Sequence, residues 1–162
     1  MSRTITIGIS DLNVAATPDI LITYALGSCI GICLYDANAK VAGLSHIMLP
    51  ASSQAPNVVN QPMKFADTAV ELLIRKMEGI GARRALLKAK IAGGAQMFAG
   101  MNNSAIANIG LRNTQAVKIE LLKQRIPIIA EDTGKNYGRT LLFSAENGVM
   151  TIKSATKGEW AF

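Results

Sequence analysis

Strand-like segments joined by short connections limit the architectures open to this chain more than any other feature. Thr4–Ile9, Asp19–Ala25, Cys29–Tyr35 and Val41–Leu49 are rich in Ile, Val, Leu and Thr and read as strands. A parallel doubly wound sheet needs a crossover of about a dozen residues between most strands, which these connections cannot supply. The first third of the chain therefore has to pair largely antiparallel.

The pattern changes after ASSQAPNVVNQP, residues 51–62, a Ser/Pro/Asn/Gln-rich stretch that reads as a mobile loop. Pro62 stands where a helix can start, and MKFADTAVELLIRKME places Phe65, Ala69, Leu72, Leu73 and Met77 at helical spacing before Gly79 ends the pattern. Ala85–Ala92 reads as a buried strand running into Gly93-Gly94. Asn113 is expected to cap a second helix that runs to about Gln124 and turns Val117, Leu121 and Leu122 toward the core. After Pro127, the segments IPIIAED, RTLLFSA and VMTIKSA give three more strands. The Asn147-Gly148 pair suits a tight hairpin between the last two. With 162 residues and 49% apolar side chains there is material for one sizeable core. The expectation is a single α+β domain over residues 1–162, a layered α/β/β sandwich with mixed, largely antiparallel sheets.

The formal charge of +6 raises the question of an acidic partner. The basic residues are dispersed, with Arg75 beside Lys76, Arg83 beside Arg84, and Lys88, Lys90, Lys118, Lys123 and Arg125 further on, and few aromatics lie among them to stack bases. A solvated surface explains this better than a nucleic-acid groove. No apolar run approaches the length of a membrane span, and MSRTITIGISDL alternates where a signal peptide would be continuously apolar. A cytoplasmic address is expected, with no membrane insertion. Cys29 and Cys33, on one strand, would lie roughly 13 Å apart, beyond disulfide reach.

If Cys29–Tyr35 and Val41–Leu49 form a hairpin around Ala37-Asn38-Ala39, the residue numbers of facing partners have a constant sum. A two-residue loop (sum 75) puts Cys29 opposite His46, about 5 Å away on one face. A three-residue loop (sum 76) turns His46 to the other face, and a four-residue loop (sum 77) returns it as the diagonal neighbour of Cys29. Two of these three registers bring thiol and imidazole together. That pairing matters because an isolated thiol, with pKa about 8.5, carries little thiolate at neutral pH. His46 is the only histidine in the chain, so no other imidazole can activate a sulfur. Spacing leaves the plainer reading open: a small buried cysteine and a satisfied histidine.

Local sequence favours chemistry at Cys29. Gly27 and Ser28 permit a sharp turn and leave backbone N–H groups near the sulfur to hold an oxyanion. Cys33, between Ile32 and Leu34, reads as core. One histidine and two cysteines on one strand are a poor metal set, so no metal or other cofactor is expected. Thr23, six residues before Cys29, is a candidate third member, although threonine is also simply a good strand former.

LGSCIGICLYD followed by GLSHIMLP resembles the chemoreceptor glutamine deamidase family, CheD, of bacterial and archaeal chemotaxis. The likeness continues through KFADTAVELLI, KAKIAGGAQMF, IGLRNTQAV and IPIIAEDTGKNYGRTLLF, from Ile20 to Phe143. The resemblance implies a Cys–His–Thr triad on Cys29, His46 and Thr23, and an α/β/β fold related to the cytotoxic necrotizing factor deamidases. It also implies hydrolysis of glutamine to glutamate on cytoplasmic helices of methyl-accepting chemotaxis receptors, through a thioester and without a cofactor. A Cys–His ion pair would lose rate as pH falls through a depressed thiol pKa. The competing expectation is a non-catalytic adaptor that docks onto receptors or onto a CheC phosphatase. Gly93, Gly94 and Arg139 are further motif positions, candidates for substrate or partner contact or for shaping the rim of the site. The acidic pair Glu131-Asp132 is a candidate ion-pair partner of Arg139. Lys135 stands where a second glycine is expected after Gly134, and residues 51–57, ASSQAPN, lack the charged pattern expected after the HIMLP segment.

Overall fold

The structure is a computed structural model and describes residues 1–54, 61–97 and 108–162. Part of the loop expected at residues 51–62 lies outside the described residues. Ten strands form two sheets. The first has the order β1 (Thr4–Ile7), β3 (Ile20–Leu26), β8 (Arg139–Ser144), β9 (Met150–Ser154), β10 (Gly158–Ala161). The second has the order β2 (Asp11–Ala16), β5 (Val41–Ile47), β4 (Ile30–Asp36), β6 (Lys88–Gly93), β7 (Ile128–Thr133). Only β1 with β3 and β6 with β7 pair parallel; every other ladder is antiparallel. The mixed, largely antiparallel α+β architecture is as expected from the short connections.

Two helices, α1 (Ala66–Glu78) and α2 (Ile109–Lys123), cover one face of the second sheet. Strand alternation divides the core accordingly. Ile30, Ile32, Leu34, Val41 and Ile47 point to the helices and pack with Val70, Leu73, Ile74, Met77, Val117 and Leu121. Cys33, Ala42 and Leu44 point the other way and meet Leu21, Leu26, Leu141, Phe143 and Ile152 of the first sheet. The resulting order of layers is helix, sheet, sheet. Gly43 lets α1 approach closely, because a Cβ there would stand 2.6 Å from the Met77 sulfur.

Several sequence expectations change. The first sixteen residues hold two strands in different sheets, with β2 pairing along β5 from Asp11 opposite His46 to Ala16 opposite Val41. Leu122, expected to face the core from the second helix, is exposed, because its neighbour Leu121 takes the inward position. The second helix begins at Ile109, so Asn113 lies inside its second turn and does not cap it. The earlier start fits the packing of Gly110, where a Cβ would come within 2.5 Å of the carbonyl oxygens of Gly94 and Ala95. Only a glycine permits the helix to sit so close to the end of β6.

Candidate active site

The β4–β5 hairpin adopts the register with sum 77: Asp36 faces Val41, and Gly31 faces His46. Cys29 stands one residue before β4, outside the strand the sequence suggested, and packs against the core cluster between the sheets, the side to which His46 is turned. This face looks into the seam between the sheets. Gly31 keeps the space beside the pair narrow, since a Cβ there would stand 2.9 Å from Leu141.

Across the seam, β3 presents Thr23, which is completely buried, as is His46. The Thr23 hydroxyl lies 2.7 Å from the Ile7 carbonyl oxygen and 2.7 Å from Nδ1 of His46. A hydroxyl has one proton to give, and the carbonyl can only accept it. Thr23 therefore donates to Ile7 and accepts from Nδ1–H of His46, which fixes the tautomer and leaves Nε2 with a free lone pair. That Nε2 is buried without a hydrogen-bond partner among the described residues. An unpartnered buried nitrogen costs stability and marks a position where a proton can be received. No hydrogen bond joins the Cys29 thiol to His46 in this arrangement.

The electrostatics differ from the expected ion pair. Burial holds the His46 imidazole at about 4, below its ordinary 6.5. Burial also pushes the Cys29 thiol up, opposed in part by its own backbone N–H. Desolvation disfavours charge on either group, so both rest neutral at pH 7. Cys33 is wholly buried, and burial pushes its thiol well up.

Backbone contacts hold the loop that carries Cys29. Ala95 N–H donates to the Gly27 carbonyl (2.9 Å) and Gly94 N–H to the Cys29 carbonyl (2.8 Å). Gly93 and Gly94 have φ of +111° and +66°, and a Cβ on Gly93 would lie 2.1 Å from the Cys29 carbonyl oxygen. The glycine pair is thus a backing for the Cys29 loop. Both glycines are buried. The N–H groups of Ser28 and Cys29 donate to no backbone carbonyl of the described residues.

Arg139 is also internal, with its side chain fully buried. Its Nε bonds Asp132 Oδ2 at 3.1 Å, Nη2 donates to the Gly134 carbonyl at 3.1 Å, and Nη1 reaches the Gly93 carbonyl at 3.4 Å. Tyr137 stacks on the guanidinium at 4.6 Å, and Trp160 Nε1 donates to the same Asp132 oxygen at 3.1 Å. Arg139 braces the turn behind Gly93 from within. Lys135 takes φ +65° in that turn, the left-handed conformation for which the sequence suggested glycine. No cluster of metal-ligating side chains is found among the described residues, and none of their helices is long and apolar enough to cross a membrane.

Fold and site together define a class: layered α+β proteins with a buried Thr–His pair at the seam of two sheets and a partly buried cysteine in the loop that packs into the same seam. The chain belongs to the CheD family, whose model, described as CheD chemotactic sensory transduction, matches residues 48–154. It is 56% identical over 154 residues to the probable chemoreceptor glutamine deamidase CheD of Clostridium novyi (strain NT), covering 95% of this chain and 94% of that protein. A protein of the same name from Syntrophomonas wolfei is 53% identical over 159 residues, 98% of each chain. Another, from Clostridium botulinum (strain Eklund 17B / Type B), is 56% identical over 147 residues, 91% of this chain and 90% of that protein. The matches to these three relatives extend across the segments that carry Thr23, Cys29 and His46, whereas the family model begins at residue 48, after all three.

Proposed function

We propose that this chain hydrolyses selected glutamine side chains of methyl-accepting chemotaxis receptors to glutamate, as one cytoplasmic domain, with Cys29 as nucleophile, His46 as proton carrier and Thr23 as its orienting partner. The observation that carries the reading is the Thr23–His46 hydrogen bond of 2.7 Å, which leaves Nε2 unprotonated and unpartnered. Membership of the CheD family and the names of its relatives support the substrate class.

In the first half-reaction Nε2 takes the Cys29 thiol proton, and the sulfur electron pair forms a bond to the carboxamide carbon while the carbonyl pair moves to oxygen. The N–H groups of Ser28 and Cys29, which donate to no backbone carbonyl of the described residues, suit that oxyanion. Collapse of the adduct breaks the C–N bond, and the imidazolium gives its proton to the leaving nitrogen, which departs as ammonia. His46 next takes a proton from water, whose oxygen attacks the thioester. The C–S bond breaks, the proton returns to sulfur, and glutamate leaves. The route uses this chain's own groups and water.

Purified protein incubated with a receptor cytoplasmic domain tests the reading when Gln-to-Glu conversion is followed by mass spectrometry. Conversion supports it. Receptor binding, or binding to a CheC phosphatase, with every glutamine intact favours the adaptor alternative.

A further inference from the structure

Asn113 is completely buried inside α2, yet it contributes nothing to the apolar contact between that helix and the second sheet. Its Nδ2 donates to the Ser28 carbonyl at 3.0 Å and to the Met48 carbonyl at 2.8 Å. Both partners are carbonyl oxygens, so only the NH2 group can face them; the opposite amide orientation would set three acceptors together. One side chain thus ties the peptide just before Cys29 to the segment just after His46.

A trans peptide points its C=O and its N–H in opposite directions. The carbonyls of Gly27, Ser28 and Cys29 are held by Ala95 N–H, Asn113 Nδ2 and Gly94 N–H respectively, all from the β6 end and α2. Holding the first two carbonyls turns the N–H groups of Ser28 and Cys29 the other way. For Cys29 that direction is toward its own sulfur, which lies within hydrogen-bonding influence of this N–H. Ala95 and Gly94 act through their backbone N–H groups. At Ser28 the hold is a side chain alone.

We infer that Asn113 is a positioning residue for the deamidation proposed above: by holding the Ser28 carbonyl, it aims the Cys29 N–H at the oxyanion. The same Nδ2 group also donates to the Met48 carbonyl, just past the end of β5. The inference rests on the thiol mechanism and makes a separate claim about one amide group. Losing the bond leaves the Ser28–Cys29 peptide free to rotate while the thiol and imidazole remain in place.

The test compares wild type, Asn113→Ala and Asn113→Asp in receptor deamidation, with kcat and KM resolved, beside alkylation of Cys29 by iodoacetamide. Alkylation forms no oxyanion, so its limiting rate at high pH, where Cys29 is wholly thiolate, reports thiol placement apart from that role of the N–H. The expected result for Asn113→Ala is a fall in kcat of about 10- to 100-fold with KM and alkylation little changed. Asn113→Asp keeps the shape and, when its buried carboxyl is protonated, one donor. Its expected kcat is intermediate and declines as pH rises through the ionisation of that carboxyl. It also serves where Asn113→Ala does not fold. Unchanged kcat in either folded variant overturns the inference, as does a parallel loss of deamidation and alkylation. A wild type that converts no glutamine overturns both this inference and the mechanism beneath it.

Discussion

Acidification should destabilise this protein well before its carboxylates titrate, and His46 is the cause. In the unfolded chain the ring titrates near 6.5, whereas burial in the folded seam holds it at about 4. Between those values the unfolded state binds a proton that the folded state refuses, so stability is fully present above about pH 6.5 and falls as pH drops. The loss levels off below about pH 4. Each pH unit in the window costs about 1.4 kcal/mol, giving roughly 3 kcal/mol in all. Asp19, Asp36 and Glu71 also have lowered pKa values in the fold, but their ordinary values of 3.8, 3.8 and 4.5 put their contributions at the acid end of this window. Urea unfolding from pH 7 to pH 4.5 therefore isolates the histidine. Wild type should lose stability along this range, and His46→Gln, which cannot titrate, should hold nearly flat whatever its stability at pH 7. A flat wild-type profile, or an equal slope in His46→Gln, would refute the account of a neutral, desolvated ring.

The same burial sets the acid limb of kcat/KM, which should have its midpoint at about 4, where His46 protonates and loses its base; a pH–rate profile over the range where the protein stays folded checks this. Gly93→Ala drives a methyl group to 2.1 Å from the Cys29 carbonyl oxygen at φ +111°. It should cost about 3 kcal/mol in urea unfolding and displace the Cys29 loop, with a parallel loss of deamidation. Lys135→Gly relieves an exposed residue held at φ +65° and should raise stability by about 0.5 kcal/mol with activity intact, measured by the same unfolding assay.

The hairpin was legible because strand parity is arithmetic: once Cys29 and His46 lie on paired strands, only the loop length remains open, and the structure selects sum 77. The contact between Thr23 and His46 had no such route. It crosses from one sheet to the other, and sheet stacking leaves no fixed spacing in sequence, so position made Thr23 only a candidate and the family resemblance singled it out. Strand β2, Asp-Leu-Asn-Val-Ala-Ala, has one strong strand former, Val14, and is made by pairing along β5. Asn113 carried the chemistry of a cap and does other work, because a cap and a clamp use the same polar amide and differ only in what lies opposite. Arg139 and Gly93-Gly94 looked like contact positions on their motifs. Their burial shows them bracing the loop from behind.

Mass spectrometry of a receptor cytoplasmic domain after incubation with wild type, Cys29→Ala and Cys33→Ala tests the central claim most directly. The account predicts Gln-to-Glu conversion by wild type and by folded Cys33→Ala, and none by Cys29→Ala. Full conversion by Cys29→Ala, or its loss in a folded Cys33→Ala, would contradict the assignment of Cys29 as the nucleophile and Cys33 as packing.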